Sequence, residues 1–302
     1  MINYSIIIPH KNTPLFLQRC IDSIPHREDI QIIIVDDNSD PQKVNFNRFP
    51  GLTQKNVEIY FTKEGKGAGY ARNVGLKHAK GKWLLFADAD DFYHPEAFQN
   101  FDFYLNTNYD IIYFFAYSID PETGLASPRE KNLNHFYKKY NPQKSRSADY
   151  IKFKAWEPWN KLINYNFWAK HQIYFDEIPF GNDINFSQKL SLLAQKIDIN
   201  PNKLYCLTYS NNSITFKKRT FEVETLSLEL RAQLNVYFKI IKRPFWHKFT
   251  LIYLIQILKT KGFSYFFGYS FYLLKNISTI RSNINYKKKV IENFINKHNY
   301  KR

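Results

Sequence analysis

The chain has 302 residues, 44% of them hydrophobic, with 27 Phe and 22 Tyr. That is enough for a sizeable core, in one large domain or in one domain with an appendage. Two cysteines, Cys20 and Cys206, exclude a disulfide framework and a cysteine-built zinc site, and they fit a reducing compartment. The net charge of +16 is uneven: residues 201–302 hold 19 Lys and Arg against 4 Asp and Glu. A nearly neutral body therefore leads into a basic region, which points to an anionic surface as partner.

The N-terminal stretch from Met1 to Pro9 lacks a basic n-region and a long enough apolar h-region, so no signal peptide is expected. Tyr4 to Pro9 reads as a buried strand, and Thr13-Pro14 supplies a helix start for Leu15 to Ile24. Ile30 to Val35 is a second buried strand that ends at Asp36-Asp37-Asn38-Ser39. Val57 to Phe61 is a third, and Ala68 to Ala79 reads as a helix. The fourth strand is Trp83 to Phe86. Pro95 opens a helix to about Leu105, and Ile111 to Tyr117 is a fifth strand. Strands and helices alternating in this rhythm predict βαβ units and a mostly parallel sheet covered on both faces.

From Asp120 to Asp149 the pattern dissolves into Pro, Asn, Ser and Lys, a connection of the length usually found in lids or mobile segments. Order returns at Trp156 to Leu162, followed by helices near Asn166 to His171 and Asp183 to Lys196, and a strand over Leu204 to Tyr209. Beyond Thr220 the chain reads as helical. Phe245 to Leu258 and Phe263 to Leu274 are aromatic and aliphatic, but Lys259, Lys261 and Gly262 keep any run short of the ~18–20 apolar residues that span a bilayer.

The chemistry gathers where strands end. Phe86-Ala87-Asp88-Ala89-Asp90-Asp91 is an apolar strand running out into three carboxylates. Asp88 and Asp90, two apart in extended chain, point to one side, at the carboxyl end where open α/β sheets bind ligands. Carboxylates there either pair, cap a helix or hold Mg²⁺ or Mn²⁺ completed by substrate phosphates. His10, Lys11 and Asn12 follow the first strand, Asp36 and Asp37 the second, and Gly65-Lys66-Gly67-Ala68-Gly69-Tyr70-Ala71-Arg72 enters the fourth unit. Asp37 is placed to accept the ring N–H of a uracil, and Arg72 to contact base or diphosphate. The three alternate glycines are not a dinucleotide fingerprint, which follows the first strand and needs a glycine where Tyr70 stands. A phosphate-loop motif is absent too.

Ser5 to Pro9, Val35-Asp-Asp-Asn-Ser39, Gly69-Tyr-Ala-Arg-Asn-Val-Gly75 and Phe86-Ala-Asp-Ala-Asp-Asp91 together resemble the successive motifs of family 2 glycosyltransferases of the bacterial surface-polysaccharide type. The resemblance continues more loosely through Trp159-Asn-Lys-Leu162 and Phe180-Gly-Asn-Asp-Ile-Asn-Phe186. It implies an α/β GT-A nucleotide-diphospho-sugar transferase fold, a mostly parallel central sheet flanked by helices, with a C-terminal helical extension. The expected division is 1–219 for this domain (1–118 nucleotide-sugar side, 119–219 acceptor side) and 220–302 for the helical region. By the same resemblance Asp37 binds the nucleobase, Arg72 the nucleotide, Asp88 the ribose side and Asp90 the divalent cation. Pro9, His10, Asn12, Lys66 and Ala89 complete the expected donor site. For His10 an exposed loop position is as good a reading, and Lys66 stands no better than even.

The family usually presents Glu-Asp at a helix start, the Asp serving as catalytic base. Here the pair is Asn182-Asp183, which keeps the proposed base and changes its neighbour. A carboxylate in a first helical turn also suits the helix dipole, so Asp183 has a structural reading as well. Trp159 and Asn182 are the expected acceptor contacts. Trp159, like Trp156, is either a sugar-stacking ring or core. A second departure lies at Tyr209 to Thr215, where relatives carry Arg or His and this chain has neither; Lys217 or Lys218 are the candidate substitutes.

The expected activity is metal-dependent, inverting transfer from a nucleotide sugar, UDP-sugar first with GDP and dTDP open, to a glycan or lipid-linked glycan acceptor. Mn²⁺ or Mg²⁺ is the implied cofactor. Basic clusters among aromatic helices suit an anionic membrane, hence a cytoplasmic protein held peripherally at the inner face of the cell membrane; a solvated face over a helical core is the plainer reading. No nucleic-acid recognition motif accompanies the charge. The rival is a non-catalytic, membrane-associated glycan- or nucleotide-binding protein of the same fold.

Overall fold

The structure is a computed structural model that describes residues 1–302 apart from 128, 130–134, 136–138, 142, 145, 209–219, 244, 246, 248–249 and 299–302. It forms two compact units, Met1–Ser213 and Ile214–Arg302. The boundary expected at 219/220 adjoins residues outside those described, and Tyr209 to Thr215, Lys217 and Lys218 lie among them.

The first unit is built on one eight-stranded sheet: β1 (Tyr4–His10), β2 (Ile30–Asp37), β3 (Val57–Thr62), β4 (Trp83–Phe86), β5 (Phe92–Tyr93), β6 (Ile111–Ile119), β7 (Lys161–Asn164) and β8 (Ile197–Thr208). Their order is β3-β2-β1-β4-β7-β6-β8-β5. The first four strands are parallel, β7 runs antiparallel to both β4 and β6, β8 is parallel to β6, and β5 antiparallel to β8. Half the sheet thus carries the βαβ rhythm read from the sequence, and the other half is mixed. Helices α1 (Pro14–Asp22), α2 (Ala68–His78), α3 (Ala97–Asp102), α4 (Asp149–Lys154), α5 (Tyr165–His171) and α6 (Ile184–Leu193) accompany it.

Every residue of β1, β2 and β4 is buried, as expected for parallel strands covered on both faces. Helix α2 lies flush on β1. A Cβ at Gly75 would meet Ile7 Cγ2 at 2.5 Å, so only glycine permits that approach. The register sets Pro9 opposite Val35 and His10 opposite Asp36, while Ile7 pairs with Phe86. The ends of β1 and β2 therefore come out level on one edge, and the residues that follow Phe86 continue toward the same edge. Chain order reverses between β1 and β4, the switch point where such sheets leave a crevice.

Two short strands escape the sequence reading. β5 and β7 have two and four residues, too few for a period to show, and β7 begins with a lysine. The strand expected from Leu204 starts earlier, at Ile197.

The second unit has three helices, α7 (Phe221–Ile240), α8 (Thr250–Lys275) and α9 (Ile277–Lys297). Thr220 caps α7 by accepting from Val223 N, with Glu222 and Glu224 in the first turn. Gly262, at φ 80°, breaks α8 into two segments. Leu228, Tyr253, Ile257 and Tyr269 form a buried cluster in it. Among the described residues no helix is long and apolar enough to cross a membrane.

Candidate active site

The site grows from the polar residues at that level edge. At the end of β1, His10 is buried and its Nδ1 lies 2.8 Å from Asp36 Oδ2. Thr13 N donates to His10 Nε2 at 3.1 Å, so the ring proton sits on Nδ1 and is donated to Asp36. Ser39 adds its backbone N–H and hydroxyl to the same carboxylate. Burial pushes Asp36 up, but these donors outweigh it and hold the carboxyl below its usual range. Asn12 joins the two strand-end loops: its Oδ1 accepts from Asp40 N at 2.7 Å and its N–H donates to Ser39 Oγ at 2.8 Å. His10 and Asn12 thus tie the ends of β1 and β2 together, and Pro9 is buried in β1.

Asp37 is different. Its Oδ2 accepts from Gly67 N at 2.9 Å and from Lys11 Nζ at 3.4 Å, while its Oδ1 is buried with no partner. A buried carboxylate oxygen without a donor is costly, and a ligand N–H arriving there would satisfy it. Gly67, at φ 92°, starts α2 and brings its own N–H to Asp37. Lys66 is exposed beside it, its Nζ 4.9 Å from the Tyr70 ring.

Arg72, buried on α2, ties three parts together. Its Nη2 donates to Asp88 Oδ1 at 2.6 Å and its Nη1 to Asn182 Oδ1 at 2.9 Å, while Nε is buried without a partner. The guanidinium lies 5.3 Å from the Phe175 ring. Asn73 fixes that neighbouring segment by exchanging two hydrogen bonds with Phe175 N and O. Gly69 makes the approach possible, because a Cβ there would fall 2.2 Å from Asp176 O.

Beyond β4, Asp88, Asp90 and Asp91 each offer an oxygen within 4.8 Å of the others. Backbone ties hold this turn: Asp88 N donates to Tyr205 Oη at 2.9 Å, and Asp90 O accepts from Arg19 Nη2 and from Thr208 Oγ1, both at 2.6 Å. Asp91 Oδ1 accepts from Thr208 N at 2.8 Å, and its Oδ2 is buried without a partner. Burial first, then the neighbouring carboxylates, push Asp90 and Asp91 up. Ala89, between Asp88 and Asp90, is buried. Three hard oxygen donors with an unmet lone pair fit Mg²⁺ or Mn²⁺, and a dication would relieve their mutual repulsion.

On the acceptor side, Asp183 precedes α6 and makes no side-chain cap. The helix-cap reading therefore lacks the hydrogen bond that would define it. Burial pushes the Asp183 carboxyl up to about 6, with Arg72 pulling it down and Glu157 and Asp88 adding to the rise. Trp159 is 6% exposed and stacks on Tyr205 with ring centroids 5.1 Å apart. One indole face is thereby used to support the phenol that takes the Asp88 N–H.

Several participants gave no sequence signal. Arg19, Tyr205 and Thr208 hold the acidic turn from other elements, and their role appears only once β8 lies in the sheet. Lys161, completely buried, donates to Ala155 O at 3.1 Å, to Asn160 Oδ1 at 2.8 Å and to Glu157 O. Burial pulls its ammonium down to about 7, against the attraction of Glu157 and Asp183. Among the predicted site residues, Arg72, Asp88, Asp90, Asn182 and Asp183 come together directly, and Asp37 shares their edge.

Known proteins share this fold. TarS of Staphylococcus aureus, residues 1–349 solved with UDP-GlcNAc, superposes with a TM-score of 0.59 at 20% identity, over 79% of this chain and 72% of that one. At that identity the likeness shows the fold, the GT-A fold. The uncharacterized glycosyltransferase EpsJ of Bacillus subtilis is 27% identical over 217 residues, 70% of this chain and 62% of EpsJ. The poly(ribitol-phosphate) beta-glucosyltransferase of Bacillus spizizenii is 26% identical over 207 residues, 65% of this chain and 30% of that protein. The chain spans less than two thirds of the length of these curated relatives. The profile of Glycosyl transferase family 2 matches residues 5–157, just over half of the sequence, and the chain belongs to that family.

Proposed function

We propose that this chain transfers a sugar, with inversion, from a nucleotide-diphospho-sugar to a hydroxyl of a glycan or lipid-linked glycan acceptor in surface polysaccharide synthesis. The observation that carries the reading is Arg72, which binds the acidic turn at Asp88 and the Asn182 that precedes Asp183. Donor-side and acceptor-side groups thus share one guanidinium. A UDP-sugar is the first choice of donor, supported by the orphaned Oδ1 of Asp37, which suits a uracil N–H, and by the UDP-GlcNAc bound to TarS. The poly(ribitol-phosphate) acceptor in two relatives' names supports a polyol-phosphate or glycan acceptor.

In this reading the acceptor oxygen attacks the anomeric carbon while the bond from that carbon to the diphosphate oxygen breaks. Asp183 takes the hydroxyl proton, and the nucleoside diphosphate leaves on the opposite face. A base near pH 6 is ionised at neutral pH yet still basic enough to accept a proton as the bond forms. Arg72 orients Asp88 and adds positive charge toward the diphosphate. Asp90, with Asp88 and Asp91, would hold Mn²⁺ or Mg²⁺, whose chemistry there is to neutralise charge on the departing diphosphate.

We also place the protein in the cytoplasm, held peripherally at the inner face of the cell membrane by its basic C-terminal unit. The test is release of UDP on mixing the protein, Mn²⁺, a panel of UDP-sugars and a glycan acceptor. Acceptor-dependent release that vanishes in Asp183→Asn supports the reading. Donor binding without release identifies the non-catalytic rival instead.

A further inference from the structure

Helix α8 divides its aromatic residues in an unusual way. The core between α7 and α8 is made with Tyr253 and Tyr269, with Tyr265 and Tyr272 packed against it. Three of the four phenylalanines of α8 face out: Phe263, Phe267 and Phe271 are 68%, 63% and 72% exposed, and Leu274 is 68% exposed, while Phe266 is half-buried. Water alone would favour the reverse, since a buried phenol needs a hydrogen-bond partner and a phenyl ring does not. The fold supplies those partners. Tyr253 donates to Glu224, and Thr225 Oγ1 lies 3.5 Å from Tyr269 Oη. The exposed residues recur at steps of four, four and three, so they form one continuous ridge along the helix.

The charge around the ridge selects its occupant. α8 and α9 together carry eight Lys and Arg against one Glu. Two of the eight, Lys261 and Lys287, pair with Glu224 and Glu229 of α7. Lys259 and Lys275 stand exposed on α8, on either side of the ridge residues in sequence. Self-association through this face would set two positive helix pairs against each other. An anionic lipid surface accepts both features, phenyl rings at the acyl boundary and lysines among the headgroups.

We propose that the Phe263, Phe267, Phe271 and Leu274 ridge of α8 inserts into the interface of an anionic membrane, with the lysines of α8 and α9 at headgroup level. This deepens the membrane placement above by naming the inserting residues, and it does not depend on the transfer chemistry. The test co-sediments the full chain with vesicles of phosphatidylcholine alone and with about one third phosphatidylglycerol. Binding is expected to the anionic vesicles and to weaken in high salt. Replacing Phe263, Phe267 and Phe271 together by Ser should weaken it roughly 100-fold or more, whereas replacement by Trp should preserve it. Far-UV circular dichroism of each variant checks the helices. The proposal is overturned if the full chain fails to bind anionic vesicles at low salt. It is overturned equally if the folded Ser variant binds as well as the parent, or if that variant instead turns a dimer into a monomer. UDP release with a soluble acceptor and no vesicles reads the chemistry separately, so either proposal can fail alone.

Discussion

Replacing Asp183 by Asn separates catalysis from stability in one experiment. Burial raises the Asp183 carboxyl from 3.8 to about 6. As the base it must be ionised, so the parent should lose rate about tenfold per pH unit below that value and level off above pH ~7. The Asn variant should retain donor binding and lose about 10²–10⁴-fold in turnover. Stability moves the other way. The folded pKa lies above the unfolded one, so the contribution is fully present below pH ~4 and is lost as pH rises through about 6. The full rise corresponds to at most about 3 kcal/mol, and to roughly 1–2 kcal/mol once partial solvent exposure is discounted. Relative to the parent, Asp183→Asn should therefore melt a few degrees higher at pH 7.5 than at pH 4.5, at ~2–4 °C per kcal/mol. UDP release from pH 5 to 8 and paired melting curves are the assays. A parent rate that stays flat down to pH 5, or an Asn variant within a few-fold of it, refutes the base assignment.

Three further outcomes follow from the geometry. Mn²⁺ should enlarge the thermal shift produced by UDP in the parent and not in Asp90→Asn; an equal shift in EDTA would remove Asp90 from any ligand role. Gly69→Ala, whose Cβ would meet Asp176 O at 2.2 Å, should cost about 1–3 kcal/mol by melting and lower turnover of the folded fraction as well. Gly75→Ala presses only on Ile7, so it should lose similar stability while its folded fraction keeps its rate. Tyr205→Phe strips the acceptor from Asp88 N and should cost about 1–3 kcal/mol, with a raised donor KM; an unchanged KM would mean the turn holds itself.

What could be read from the sequence depended on whether the signal was local. Buried β1, β2 and β4 announce themselves as continuous Ile, Val and Leu runs, and the acids at their ends fall on one edge because parallel strands align. Asp88 and Asp90 follow from that logic alone. His10 shows the limit: only the pairing of β1 with β2 reveals that its ring is committed to Asp36. Arg19 and Thr208 reach the acidic turn from α1 and β8, separations that no local pattern encodes. Lys161 gives no strand signal, yet it begins β7 and its charge is met by oxygens of the segment before it. The core-or-sugar alternatives for Trp159 turn on Tyr205, which lies 5.1 Å away in space and far off in sequence.

The change from Glu-Asp to Asn182-Asp183 bears on the non-catalytic rival, and its effect can be worked out from Arg72. Asn182 Oδ1 takes one Arg72 donor and Asp88 the other, so Asp88 is the carboxylate bonded to that guanidinium among the described residues. A glutamate at 182 would share the guanidinium's charge and place another anion next to Asp183. Both changes would raise a carboxyl that burial has already lifted to about 6. With the amide, Arg72 keeps more of its pull on Asp183, the main influence opposing burial. Asp183 thus stays ionised near neutral pH in a half-buried position. An ionised carboxylate there works against folding, a cost that the proposed base role accounts for. In the proposed mechanism, Asn182 therefore adjusts the base rather than discards it.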